Sequence, residues 1–218
     1  MKYICLIIFS ILIVGCAAPV VKVDVPNINT SSSLNVSDLR PKTEKESEIF
    51  SLMISSEAYG TYRRGDALLN PTAIRIFQHR VHEKFSPLNS KPEVKVHHLV
   101  IYMNLKSELR RGVAGGVLGG VIGAGIAAST QKYGVDGIAS VVTQKEFEAF
   151  DQEYKRALYS EKENPNKASV FVVYLDAEIN GKRVFVKTMT PFQPPKENTK
   201  NPQVLAVEAA TAFFLDQY

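Results

Sequence analysis

The 218-residue chain has no tryptophan, two cysteines and four histidines. The cysteines are Cys5 and Cys16, so nothing after position 16 carries a thiol. That excludes a disulfide, a thiolate nucleophile and a cysteine-type zinc site from the rest of the chain. An apolar core must hold the fold instead, and 45% hydrophobic residues are enough to build one. Charge of one sign is also scarce: 26 Lys and Arg stand against 22 Asp and Glu, a formal net charge of +4. No basic run is longer than Arg63-Arg64 or Arg110-Arg111, so no nucleic-acid partner is expected. There is no Gly-x-Ser-x-Gly elbow and no glycine-rich phosphate loop ending in Gly-Lys-Ser/Thr. His79 and His82 lie three apart on an expected helix, and His98 follows His97 on an expected strand. They do not form the His-Glu-x-x-His pattern, and neither a metal nor a cofactor is expected.

What is present begins at the N-terminus. Met1-Lys2-Tyr3 gives a short positive start, and Ile4 to Val14 is almost unbroken apolar sequence. That run is well short of the roughly 20 residues needed to span a bilayer. Ile13-Val14-Gly15-Cys16 follows, then Ala17, Ala18 and Pro19. A charged start, an apolar middle and a small-residue cleavage site make a secretory leader. The alternatives are a plain membrane anchor, or an ordinary leader in which Cys16 is accidental.

Residues 13–16 resemble a bacterial lipobox. The resemblance implies cleavage before Cys16, a diacylglyceryl thioether on its sulfur, and acylation of the new N-terminus with a chain such as palmitate. It implies a protein tied to a membrane by lipid and facing the periplasm. Ala17 is not the aspartate that retains such proteins in the inner membrane, which points to the outer membrane. The expected organisation is a leader over 1–15, a lipidated tether over 16–33 and a single domain over 34–218.

The expected fold class is α+β: a mostly antiparallel sheet with about three helices, packed largely on one face. Leu34 to Leu39, Ile49 to Ser55 and Tyr59 to Arg63 read as strands, with a charged, solvated loop over 42–48. Asn70-Pro71 is expected to cap and open a helix bearing Ile74, Phe77, Val81 and Phe85. Glu93 to Leu109 reads as a long central strand. Val94, Val96, His98, Val100 and Tyr102 are expected on one face, and Leu99, Ile101, Met103 and Leu105 on the other. Gln144 to Tyr159 is expected to be a helix. Val170 to Ile179 and Lys182 to Thr190 read as a hairpin through Asn180-Gly181, a pair suited to a type I′ turn. Asn201-Pro202 opens a last helix carrying Leu205, Ala209, Ala212 and Phe213.

A Gly/Ala-rich insert over 112–140 interrupts this pattern. Gly112, Gly116 and Gly120 are spaced by four, as are Gly115, Gly119 and Gly123. In a helix they form ridges of small residues that let backbones approach closely. In water each glycine costs about 1 kcal/mol of helix stability relative to alanine, so a helix here needs a partner surface or lipid. Three readings stand: membrane insertion or self-association as a glycine zipper, a hairpin packed within the body, or a surface loop. The high content of Val, Ile and Leu argues against the loop.

Chemistry is sparse. Asp38, Asp66 and Glu57 could form a carboxylate pair for glycoside hydrolysis, although Asp38 and Asp66 read more simply as strand-end and turn residues. Tyr59 to Arg64 could make a binding surface, but reads more simply as a strand edge with solvated arginines. No enzymatic activity is expected.

The lipobox, the tether and the stretch Val36-Ser37-Asp38-Leu39-Arg40-Pro41 together resemble small outer-membrane lipoproteins of the YajG kind. The likeness covers about residues 1–105, and the glycine insert departs from it. That insert resembles the glycine-zipper segments of other envelope lipoproteins. Neither family supplies catalytic residues. Together they imply a non-enzymatic structural or accessory role, with an envelope protein or a second copy as partner. A subunit of a secretion or transport complex is the alternative.

Overall fold

A computed structural model of the chain describes residues 20–46, 50–54, 58–88, 91–106, 138–160, 162–163, 169–192 and 201–218. The α+β expectation holds: an antiparallel-dominated sheet with helices packed against it. The strands are β1 Val21–Lys22, β2 Val36–Asp38, β3 Phe50–Ile54, β4 Ala58–Arg64, β5 Leu69–Asn70, β6 Val94–Lys106, β7 Ile138–Val141, β8 Val170–Ile179 and β9 Lys182–Pro191. The helices are α1 Lys42–Lys45, α2 Ala73–Phe85, α3 Gln144–Glu148 and α4 Pro202–Leu215. A seven-stranded sheet runs β3-β4-β6-β8-β9-β7, with β2 parallel to the start of β6.

β6 and β8 are the middle of the sheet. Both faces of β8 are covered, so it reads as a nearly continuous apolar run broken only by Asp176 and Glu178. The hairpin to β9 turns as expected, with Asn180 at φ 51° and Gly181 at φ 83°. Both values match a type I′ turn and follow the right-handed twist of the strands.

β6 corrects the expected division of faces. The pairing with β8 slips between Val96 and His98, leaving His97 as an extra residue. One inserted residue moves every later side chain to the opposite face. Val94 and Val96 therefore lie with Leu99, Ile101, Met103 and Leu105 in one core, and only His98, Val100 and Tyr102 lie on the other face.

The larger core lies under α2 and α4. Phe77 of α2 meets Phe214 of α4 edge-on, with ring centroids 5.5 Å apart. α4 starts as expected, with the Asn201 side chain accepting from the Gln203 N–H and Pro202 in the first turn. It is apolar nearly all round, so periodicity does not choose its buried face. Val204, Val207, Ala210 and Phe214 point inward, while Leu205 is 41% exposed. Ala212 is also exposed, and Ala209 and Phe213 are only partly buried. α2 begins later than expected. Asn70 is held in β5, where its carbonyl accepts from Val23, and the cap is Thr72.

Two further segments differ from expectation. Residues 20–33, expected as a tether, pack on the body: β1 pairs with β5, Val25 is buried and Ser31 is fully buried. The helix expected over 144–159 is the short α3 and a separate 3-10 turn at Glu153–Ala157. Side chains take carbonyls here: Arg156 donates to that of Phe147, which the next turn of α3 would need, and Asn104 of β6 holds the 3-10 turn through that of Ala157. These two turns cover the second face of the sheet. β7 also begins inside the stretch assigned to the insert, as a strand on the outer side of β9.

Candidate functional site

Two groups of buried polar side chains stand out among the described residues. The first is built on Asp38, Arg40 and Asp66. β2 ends at Asp38, and the Leu39 N–H donates to the Val96 carbonyl, so Arg40 turns inward with its side chain 1% exposed. Arg40 Nε and Nη2 both donate to Asp38 at 2.9 Å, Nη2 donates to Asp66 at 2.7 Å, and Nη1 donates to Asp66 at 3.0 Å. Nη1 also reaches the Leu99 carbonyl at 3.4 Å. A planar guanidinium suits two carboxylate forks at once. Burial raises the Asp38 pKa, but the hydrogen bonds and charge of Arg40 outweigh it and hold the carboxyl below its usual range. Burial also works against the Arg40 charge, and the two carboxylates more than offset it.

The structure thus brings together two of the three suggested carboxylates, Asp38 and Asp66; Glu57 lies outside the described residues. Arg40 holds Asp38 as the anion. A glycosidase pair needs one protonated member, and Asp38 is pushed the other way.

The second group lies at the polar end of the second sheet face. His98 Nδ1 meets Glu44 Oε1 at 2.6 Å, and its Nε2 faces the Gln144 amide nitrogen at 3.4 Å. In the tautomer these partners favour, Nδ1–H donates to Glu44 and Nε2 accepts from Gln144. Both ring nitrogens are then engaged. The ring packs on Phe147 at 4.9 Å and stacks on Phe185 at 5.8 Å. Glu44 belongs to α1, in the segment expected to be a solvated loop, and it is only 7% exposed. Beside this group Asp176 is wholly buried and accepts from Arg183 Nε at 2.8 Å. That hydrogen bond raises the Arg183 pKa against a smaller opposing effect of burial.

Gln144, Asp176, Arg183, Phe185, Val141 and Val142 line an open groove of about 430 Å³. Among the described residues lining it there is no Ser, Thr or Cys. It therefore presents the Arg183 and Lys182 cations and the Gln144 amide, over the buried Asp176 carboxylate.

The remaining candidates fall elsewhere. Arg63 and Arg64 are not solvated: they are 6% and 8% exposed. Arg63 pairs with Glu153 at 3.1 Å, and Glu153 also accepts from Tyr102 at 2.9 Å. His79 is 1% exposed, with Nδ1 at 3.2 Å from Ser31 Oγ. Among the described residues no group of three or more His, Cys, Asp and Glu is placed to hold a metal ion. Cys16, Gly112, Gly115, Gly116, Gly119, Gly120 and Gly123 all lie outside the described residues. The flanking ends are described. Lys106 pairs with Tyr59 and Ile138 with Met189, which puts both at the same end of the sheet. No described helix is long and apolar enough to cross a membrane.

Neither a family model, nor a curated protein, nor a solved structure matches the chain.

Sequence reasoning missed the His98–Glu44 and Asp176–Arg183 groups. A signal for Asp176 was available, because it is a carboxylate directly after the apolar run Val170 to Leu175 in an expected strand. A charge in a buried strand must find a partner.

Proposed function

We propose that this protein is a bacterial envelope lipoprotein, tied to the outer membrane through Cys16 and facing the periplasm. It acts there by binding, as a structural or accessory component, and not by catalysis. The observation that carries this reading is Ile13-Val14-Gly15-Cys16 at the end of an apolar run of leader length. Two ion-pair groups support it: Arg40 engages Asp38 and Asp66, and Arg183 engages Asp176. Groups so fully paired to one another suit a scaffold more than a reactive centre.

Cys16→Ser tests the anchor. The variant is expected to leave the membrane fraction and appear soluble or as uncleaved precursor, while the wild type stays with the membrane. Persistence of the variant in the mature, membrane-bound form would place the anchor elsewhere.

A second reading makes the protein a subunit of a secretion or transport assembly, with Gly112 to Gly123 as the oligomerising or inserting element. The four-residue glycine spacing favours it. Gly116→Leu combined with Gly120→Leu should then change assembly size or membrane insertion, and unchanged behaviour of that variant counts against it.

A further inference from the structure

The N-terminal strand carries a consequence for how the body meets the membrane. Val21, Val23 and Val25 turn toward the body, while Lys22 and Asp24 are exposed. The Val23 N–H donates to the Asn70 carbonyl at 2.9 Å, and β1 pairs with β5 at Leu69 and Asn70. Further on, Ser31 is buried against α2, where its Oγ accepts from Arg75 at 2.8 Å. The folded body thus begins at about Val20, four residues after Cys16. Four extended residues reach at most ~14 Å, and Pro19 narrows the directions open to the chain.

We infer that the outer surface of β1, beside β5 and the start of α2, lies against the phospholipid headgroups, and that the α3 face of the sheet points away from the membrane. This rests on the lipoprotein reading, because the leash is counted from an acylated Cys16. Val25, Leu34, Leu69 and Ala73 belong to the core on the α2–α4 face, whereas Phe147 of α3 belongs to the core on the other. The sheet lies between these two cores. The outward residues of the first segment are Val20, 48% exposed, with Lys22 and Asp24. Strong charge does not draw this surface to lipid; the short leash imposes the contact. The groove at Gln144, Asp176 and Arg183 then opens toward the periplasm, where a soluble partner can reach it.

The test uses the full chain made with its own leader in a bacterial host and reconstituted into vesicles of phosphatidylethanolamine and phosphatidylglycerol. The mature body has no free thiol once Cys16 is a thioether, so Lys22→Cys and Lys145→Cys each accept one fluorophore. Both positions are exposed, so neither substitution disturbs packing. A quencher carried on the lipid headgroups should quench the probe at 22 about fivefold more than the probe at 145. Inserting about 20 Gly/Ser residues between Ala18 and Pro19 lengthens the root-mean-square leash to about 27 Å and should bring the two signals together. Equal quenching at 22 and 145 in lipidated protein without the insertion overturns the orientation and leaves the anchor intact. A mass showing an unmodified Cys16 overturns the lipoprotein reading and this inference with it.

Discussion

The two faces of the sheet are built differently. The face under α2 and α4 is a broad apolar core, with Ile76, Phe77, Val207 and Phe214 fully buried. The face under α3 has a smaller aromatic cluster of Tyr102, Phe147, Tyr174 and Phe185, edged by His98, Glu44, Asp176 and Arg183. The first holds the molecule together through area removed from water. The second spends part of its interior on groups that must be hydrogen-bonded to be buried at all. A face that carries such groups is the natural place for a binding surface, and under the proposed lipoprotein reading the other face is the one that meets the membrane.

The sharpest way to break this comparison is to empty each core in turn. Phe77→Ala should lose about 4 kcal/mol, because its site lies between two long helices that cannot close over the cavity. Phe147→Ala should lose nearer 3 kcal/mol, since α3 is a single short helix at the periphery and can settle inward. Urea denaturation of the two variants measures the difference, and a reversed order would mean that the second face holds the fold.

Arg40→Met comes next. It leaves Asp66 without its cation and Asp38 with Lys45 alone, at 3.3 Å, at an expected loss of about 2–3 kcal/mol at neutral pH. Those carboxylates are roughly a quarter exposed, which keeps the figure at the low end. Asp38 also gives this loss a pH dependence. Its folded pKa lies below the ordinary carboxylate value, so its contribution is in force above about pH 4 and disappears as pH falls through the folded value. The gap between wild type and Arg40→Met should therefore narrow between pH 5 and pH 2, as followed by denaturation across that range. At the alkaline end the sign is opposite. Burial pushes the Tyr62 phenol up to about 12, so its contribution is present below pH 10 and lost as pH climbs from 10 to 12. Tyr62→Phe should flatten that limb. The smallest effect expected is Asn201→Ala, which removes the cap of α4 and should lower stability by about 1 kcal/mol.

What the sequence made legible follows the same division. Apolar alternation, the Asn180-Gly181 turn and the Asn201-Pro202 start are local signals, and each element stands where its signal put it. The slip at His97 is not local: only pairing with β8 reveals the extra residue, and it reverses the faces of all that follows. The α3 region failed for a related reason. Phe147, Phe150, Tyr154 and Leu158 have helical spacing, yet Asn104 and Tyr174 from the sheet hydrogen-bond to the Ala157 and Arg156 carbonyls and hold a tighter turn there. The alternation of Val21, Lys22, Val23, Asp24 and Val25 was readable as a strand and was overlooked among small polar neighbours. Of the polar site, Asp38 and Arg40 stood in a noticeable stretch, but Asp66 joins them from 26 residues away. Glu44 reaches His98 across 54 residues. Such partners are made by topology, not by spacing.

The account turns on the chemistry at Cys16, and mass spectrometry of the N-terminal peptide from protein purified out of its membrane reads it directly. The account predicts a peptide beginning at Cys16, heavier by a diacylglyceryl group and an amide-linked acyl chain. A peptide that begins at Met1, or one that begins after cleavage with a free cysteine thiol, would contradict it.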